Sequence, residues 1–168
     1  MKRTKLFITF FVFLLMLTYT GAAQENIIEI KQARLYREKK TALDYLSDDK
    51  IITKFGEISD KIWSYAELGL QEFRSSALLI ETLEEEGFTV ERDVAGMPTC
   101  FTASWGEGRP VIGVLGEFDA LPMLSQKGRV PFKDPLVSGA PGHGCGHNMM
   151  GTAAVAAVIA CLLYTSDA

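Results

Sequence analysis

Apolar positions recur at helical spacing through the first half of the chain and gather into short runs in the middle. Glu25 to Leu46 consists mostly of strong helix formers with Ile27, Ile30, Leu35, Leu43 and Leu46 set among charges. This predicts an amphipathic helix that covers the domain rather than carrying chemistry. A second helix is predicted over Lys50 to Tyr65. The third is the clearest: Ser76, Leu79, Ile80 and Leu83 fall at i, i+3, i+4 and i+7, and Gly87 follows as the C-cap.

After Gly87 the period changes. Phe88 and Val90, then Cys100, Phe101 and Trp105, sit in short runs typical of strands, broken by Gly96-Met97-Pro98 and by a predicted hairpin turn at Gly106-Glu107-Gly108-Arg109-Pro110. Val111-Ile112-Gly113-Val114-Leu115-Gly116 is a continuous apolar run of strand length, which predicts a central strand buried on both faces and delivering Glu117, Phe118 and Asp119 at its end. The stretch from Leu121 to Gly142, with Pro122, Pro131, Pro135 and Pro141, is too long for structureless filler and is expected to be functional. Asn148 to Leu163 has hardly any polar residue, as expected of a core helix with Asn148 as its N-cap, although the chain is expected to stop before that helix is usefully packed.

The start of the chain does not follow this globular pattern. Lys2, Arg3 and Lys5 precede an almost wholly apolar run from Leu6 to Leu17, and Thr20-Gly21-Ala22-Ala23 ends in small residues, the layout of a signal peptide over residues 1–23. A membrane anchor is the competing reading, but the run is shorter than the roughly 20 residues that span a bilayer. The chain is therefore expected to be exported, to a periplasm or the exterior. No cysteine follows the cleavage position, which disfavours a lipoprotein.

Removing residues 1–23 takes three positive charges and no negative ones from the 168-residue chain, so its net charge of −4 becomes −7 and nucleic acid is a poor partner. With 48% apolar and 23% charged residues, the composition is that of a globular chain with a core. Cys100, Cys145 and Cys161 make an odd count; a Cys100–Cys145 disulfide is one possibility in an oxidising compartment.

Both histidines of the chain, His143 and His147, bracket Cys145 within Gly142-His143-Gly144-Cys145-Gly146-His147-Asn148. Imidazole and thiolate are the ligands that borderline metals such as zinc prefer. In an extended backbone Cys145 and His147, two apart, point to one side and can reach one metal cluster. The blander reading is a glycine loop before a helix, with the histidines as polar punctuation. A phosphate cradle fits less well, because the Lys and Ser/Thr of a Walker loop are absent and the glycine spacing is wrong for a dinucleotide fingerprint. Glu117 and Asp119, at the carboxyl end of the predicted strand, lie where open α/β sheets place ligand crevices and could orient a metal-binding imidazole.

Three segments carry a resemblance. Trp63-Ser64-Tyr65-Ala66-Glu67-Leu68-Gly69 followed by Gln71-Glu72-Phe73, then Gly116-Glu117-Phe118-Asp119-Ala120-Leu121-Pro122, then Ser138 to Asn148 resemble, in order and spacing, the metallo-amidohydrolases of the aminoacylase and carboxypeptidase G superfamily, over roughly Ile51 to Ala160. The resemblance implies a two-metal centre of zinc or manganese, or cobalt, with Cys145 and His147 as metal ligands. Asp119 matches a catalytic carboxylate beside them. Glu117 stands where carboxypeptidase-like members carry a metal-binding histidine, a departure, and His143 matches a position that is not a usual ligand. The implied reaction is hydrolysis of the amide bond of an N-acyl amino acid or an aminobenzoyl-glutamate-like small molecule by a metal-activated water; a dipeptidase or carboxypeptidase of the same superfamily, or a non-catalytic metal-binding module, is the alternative.

The fold class that follows is α/β: a partial zinc-peptidase-like catalytic domain, with a central mixed sheet flanked by helices, over residues 24–168. The closing Cys161 to Ala168 resembles translated adapter sequence, so residues 160–168 are read as outside the native frame. The remaining ligands, the glutamate base and a dimerisation domain that would make a homodimer or heteromer are expected beyond Ala168.

Overall fold

A computed structural model describes residues 3–165, and side-chain surroundings for residues 24–163 other than Asn26. The elements are helices α1 (Arg3–Leu46), α2 (Asp49–Tyr65), α3 (Phe73–Glu85) and α4 (His147–Thr165), with strands β1 (Thr89–Arg92) and β2 (Phe101–Ser104) between α3 and α4. The class is mixed α and β. The chain divides into two units, residues 1–41 and 42–168.

The first unit is helical, and of its apolar side chains Ile27, Ile30 and Leu35 are exposed. The leader expected at residues 1–23 falls on positions whose side chains lie outside the described residues, as do Tyr164 to Ala168 of the closing segment. Among the described residues no helix is long and apolar enough to cross a membrane.

The second unit is built on α2, α3 and α4. Asp48 caps α2 by accepting the Lys50 amide at 2.8 Å, and α2 ends where Ala66 turns left-handed and returns its N–H to the Ile62 carbonyl. Phe55, Ile58 and Ile62 then share one face of α2 and pack with Leu79 and Leu83 of α3 and Val155, Ala156 and Ile159 of α4. Each such side chain contributes roughly 1.5–3 kcal/mol by leaving water. Gly87, at φ +85°, closes α3 as expected, with the Phe88 amide reaching back to the Leu83 carbonyl. Helix α4 is thus well packed, contrary to the expectation that the chain ends too early for it: its alanines let it lie close to α2 and α3.

Gly56 sits on the exposed side of α2 with no neighbour within 4 Å of the position a Cβ would take. Gly56→Ala should therefore stabilise the chain by up to about 1 kcal/mol, the helix-propensity difference. A urea denaturation midpoint unchanged or lowered by the substitution would show that this face is covered.

The two predicted strands around Val90 and Phe101 form an antiparallel pair, in register Thr89 with Ser104 through Arg92 with Phe101. Phe101 stacks on Phe118 at 6.0 Å, joining this ribbon to the segment before the site. The expected central strand is not formed: Val111 to Gly116 has no ladder partner among the described residues, and Val111 and Leu115 are 83% and 85% exposed. A strand buried on both faces needs neighbours on both edges, and β1 and β2 bond only to each other. For the same reason Gly106 to Pro110 is a turn between extended segments rather than a hairpin.

Candidate metal centre

Three short stretches meet where that extended segment ends. The Ala120 amide donates to the Glu67 carbonyl at 2.7 Å, and Leu68 and Ala120 form a parallel bridge. Leu121 and Gly142 exchange both backbone hydrogen bonds at 3.0 Å in an antiparallel bridge. Each of the three sequence motifs thus touches the next through its main chain.

The first motif is also tied to α3 through a residue whose role the sequence did not reveal. The Glu67 carboxylate accepts the Arg74 amide at 3.0 Å, the Ser75 amide at 2.9 Å and the Ser75 hydroxyl at 2.7 Å, so it satisfies the first turn of α3. The one hint available was an acidic residue a few positions ahead of a strong helical pattern. Glu72, buried beside it, accepts the Thr99 hydroxyl and joins α3 to the turn before β2.

The loop from Leu121 to Gly142 is closed at its base by the Leu121–Gly142 bridge and doubled back on itself. Ser125 donates its amide to the Ala140 carbonyl, and Lys127 pairs with Asp134 at 2.7 Å. At its base the Leu124 backbone lies against Gly142, where a Cβ would come 2.1 Å from the Leu124 carbonyl oxygen; at Gly144 a Cβ would come 2.6 Å from the Leu124 side chain. Gly142 is required by this close approach of main chain, whereas at Gly144 the neighbour is the end of a side chain that can turn aside.

From Gly142 the chain does not run extended. Gly144 N–H turns back to the Gly142 carbonyl, Gly146 N–H to the His143 carbonyl, and Gly146 itself is left-handed at φ +82°. The same-side argument for Cys145 and His147 therefore fails: the loop is a pair of tight turns, and His147 opens α4. Asn148 is not the N-cap either. It lies inside the first turn, and its side-chain Nδ2 donates to the Ser59 hydroxyl at 3.0 Å, tying the base of α4 to α2.

His147 lies between two carboxylates. Its Nδ1 is 2.7 Å from Asp119 Oδ1 and its Nε2 is 3.2 Å from Glu117 Oε2. Asp119 at Nδ1 favours the tautomer with the proton there, leaving Nε2 as the donor atom for a metal. The carboxylates and the imidazole are held together by backbone packing. Gly151, one turn along α4 from His147, approaches so closely that a Cβ there would lie 2.9 Å from the Glu117 carbonyl oxygen and from Phe118 Cβ.

Cys145 is exposed, and Cys145 and Cys100 are free thiols, so the Cys100–Cys145 disulfide is not formed. Among the described residues no three His, Cys, Asp or Glu side chains converge to hold a metal. The donor types are those of a transition-metal site, with His147 Nε2 beside the Glu117 carboxylate at 3.2 Å. What is present fits one edge of a metal shell rather than a whole one.

His143 serves a different purpose. Its Nε2–H donates to the Ile62 carbonyl at 3.1 Å, and its Nδ1 is buried without a protein partner. Burial lowers its pKa from the ordinary histidine value, against the opposing pull of the Ile62 hydrogen bond, so it is neutral near pH 7. It anchors the glycine loop to the end of α2.

No family model matches the chain. It is similar to a subunit of the p-aminobenzoyl-glutamate hydrolase of Escherichia coli, 48% identical over 107 residues that make up 64% of this chain and 22% of that protein. It is similar to the Xaa-Arg dipeptidase of Mus musculus, 31% identical over 121 residues, 66% of this chain and 24% of that one. YhaA of Bacillus subtilis, named as an amidohydrolase, is 32% identical over 94 residues, 55% of this chain and 22% of that protein. The chain thus spans less than a quarter of the length of these relatives. The relatives to which the chain is similar are named for aminobenzoyl-glutamate hydrolysis, dipeptide hydrolysis and amide hydrolysis.

Proposed function

We propose that this chain carries part of the metal centre of an exported amidohydrolase, one that cleaves the amide bond of an N-acyl amino acid or an aminobenzoyl-glutamate-like small molecule. The observation that carries the reading is the Asp119–His147 pair at 2.7 Å, a carboxylate orienting an imidazole whose other nitrogen is a metal donor. His147 through Nε2 and Cys145 as a thiolate would hold the metal, and two divalent ions, zinc or manganese, or cobalt, suit these donors. Bound there, the ions supply Lewis acidity toward the amide carbonyl and toward water. Asp119 fixes the ring and its tautomer, and His143 holds the loop on α2. The relative named as a hydrolase subunit supports an assembly with a second copy or a different chain. The relative named as an Xaa-Arg dipeptidase favours a dipeptide substrate as the second reading.

The test is metal content and hydrolysis measured on the gene's whole product. Cys145→Ser and His147→Ala should each remove most of the bound zinc or manganese, whereas His143→Ala should keep most of it; equal loss from all three would refute the ligand assignment. Absence of hydrolysis of N-acyl amino acids, aminobenzoyl-glutamate and dipeptides by the metal-loaded protein would overturn the function.

A further inference from the structure

We propose that Arg109 to Glu117 is a self-complementary edge, through which two copies of this chain pair antiparallel about a two-fold axis at Gly113. The pairing is independent of any metal.

From Val111 to Gly116 the chain has what a strand needs except a neighbour. Among the described residues no main-chain N–H or C=O of this run is bonded to another main-chain group. Val111, Ile112 and Leu115 are 83%, 83% and 85% exposed and Val114 is 53% exposed, so apolar side chains stand free on both faces. Unpaired backbone groups that carry apolar side chains are a template for another strand. The run is bounded at both ends. Pro110 has no N–H to add to a ladder, and at Gly116 the chain lies against α4, where a Cβ would come 2.9 Å from that of Ala154.

What fits this edge is the same edge reversed. Turned end for end about Gly113, the run sets Val111 opposite Leu115, Ile112 opposite Val114 and the flanking Arg109 opposite Glu117. Each apolar residue then meets an apolar one, each end joins a guanidinium to a carboxylate, and the two-fold axis makes every pair twice. Such cross-strand pairs stabilise an antiparallel ladder, whereas like charges in register oppose it. Parallel pairing in register fails on that ground, because it sets Arg109 against Arg109 and Glu117 against Glu117. Arg109 is exposed and the Glu117 side chain is half-exposed, so both are open to a second copy. The residues between them carry no charge, so the copies meet there without the local repulsion that a chain of net charge −4 brings elsewhere. The contact is small beside the roughly 800 Å² per partner of a standard interface, so a weak dimer is expected, with a Kd on the order of 10–100 μM.

The experiment is analytical sedimentation of the 168-residue chain at concentrations that span this Kd. The wild type should pass from monomer to dimer and stop there. Ile112→Lys and Val114→Glu should each weaken the dimer by about 10-fold or more, and an equal mixture of the two should regain it, because position 112 of one copy faces position 114 of the other. A mixture of Ile112→Lys with Ile112→Glu should regain less, since those positions are not opposite. Arg109→Glu should weaken the dimer by roughly 3- to 10-fold, as two exposed ion pairs turn to repulsion. Association driven by the apolar run from Leu6 to Leu17 would ignore all these substitutions. A wild type that stays monomeric well above the expected Kd leaves the edge to another protein or to a longer product of the gene, and the pairing falls. It falls too if association runs on past the dimer, if Ile112→Lys associates like the wild type, or if the two mixtures behave alike. A lowered urea midpoint for dilute Ile112→Lys would also overturn it, by showing that the chain covers this residue itself.

Discussion

Gly142→Ala should be among the most damaging single-methyl changes in this chain. A Cβ at this position would stand 2.1 Å from the Leu124 carbonyl oxygen, 2.5 Å from its carbon and 2.9 Å from the Ser125 nitrogen, all of them backbone atoms. A flexible side chain could turn aside, but a main chain must move as a whole. The movement would break the two Leu121–Gly142 hydrogen bonds, each worth about 1 kcal/mol, and add the roughly 1–3 kcal/mol typical of overpacking. A loss of about 3 kcal/mol or more is expected in urea denaturation. Because the bridge closes the loop and sets the start of the turns leading to His147, amide exchange at Gly144 and Gly146 should speed up with it. A variant as stable as the wild type would mean that Leu124 does not lie against this glycine.

Much of this arrangement is legible in the sequence, and the part that is not has a physical cause. The spacing of Leu79, Ile80 and Leu83 predicts α3 and its closure at Gly87 because local propensity and the core agree there. The association of Asp119 with His147 is legible as well, since a carboxylate at the end of an extended segment and an imidazole at the start of a helix are the usual partners. The strand over Val111 to Gly116 is predicted from side chains alone, yet strands are made by partners distant in sequence, and a run of valine and isoleucine does not state whether they are present. Cys145 is predicted beside His147 only if the backbone is extended, whereas Gly144 and Gly146 turn it. The same glycines that free the loop of side chains remove the regular period on which that prediction relies. Ile62 and Ser59 are invisible as site residues because they act through a main-chain carbonyl and a hydroxyl from the core helix, with no motif of their own.

Ile62 links the core to the site, and Ile62→Ala should show it. The side chain is 0% exposed, and its carbonyl accepts both the Ala66 amide that ends α2 and the His143 imidazole at 3.1 Å. Truncation to alanine leaves a cavity among Ile58, Leu79 and their neighbours, and large-to-small changes of this kind cost about 2–5 kcal/mol, depending on how far the surroundings collapse. The main-chain carbonyl remains, so the hydrogen bond to His143 is not deleted; it is displaced as α2 relaxes toward the void. The expected result is therefore double: a urea midpoint lowered by an amount equivalent to about 2–5 kcal/mol, and faster amide exchange at Gly144 and Gly146, whose N–H groups close the two turns of the loop. His143→Ala separates the two effects, because it frees the loop without opening the core: the same exchange should speed up with a smaller loss of stability. If Ile62→Ala lowers stability by less than about 1 kcal/mol, Ile62 is not the centre of the packing between α2, α3 and α4. If stability falls as expected while exchange at both glycines keeps its wild-type protection relative to global unfolding, the loop is held by its own turns and not through the end of α2.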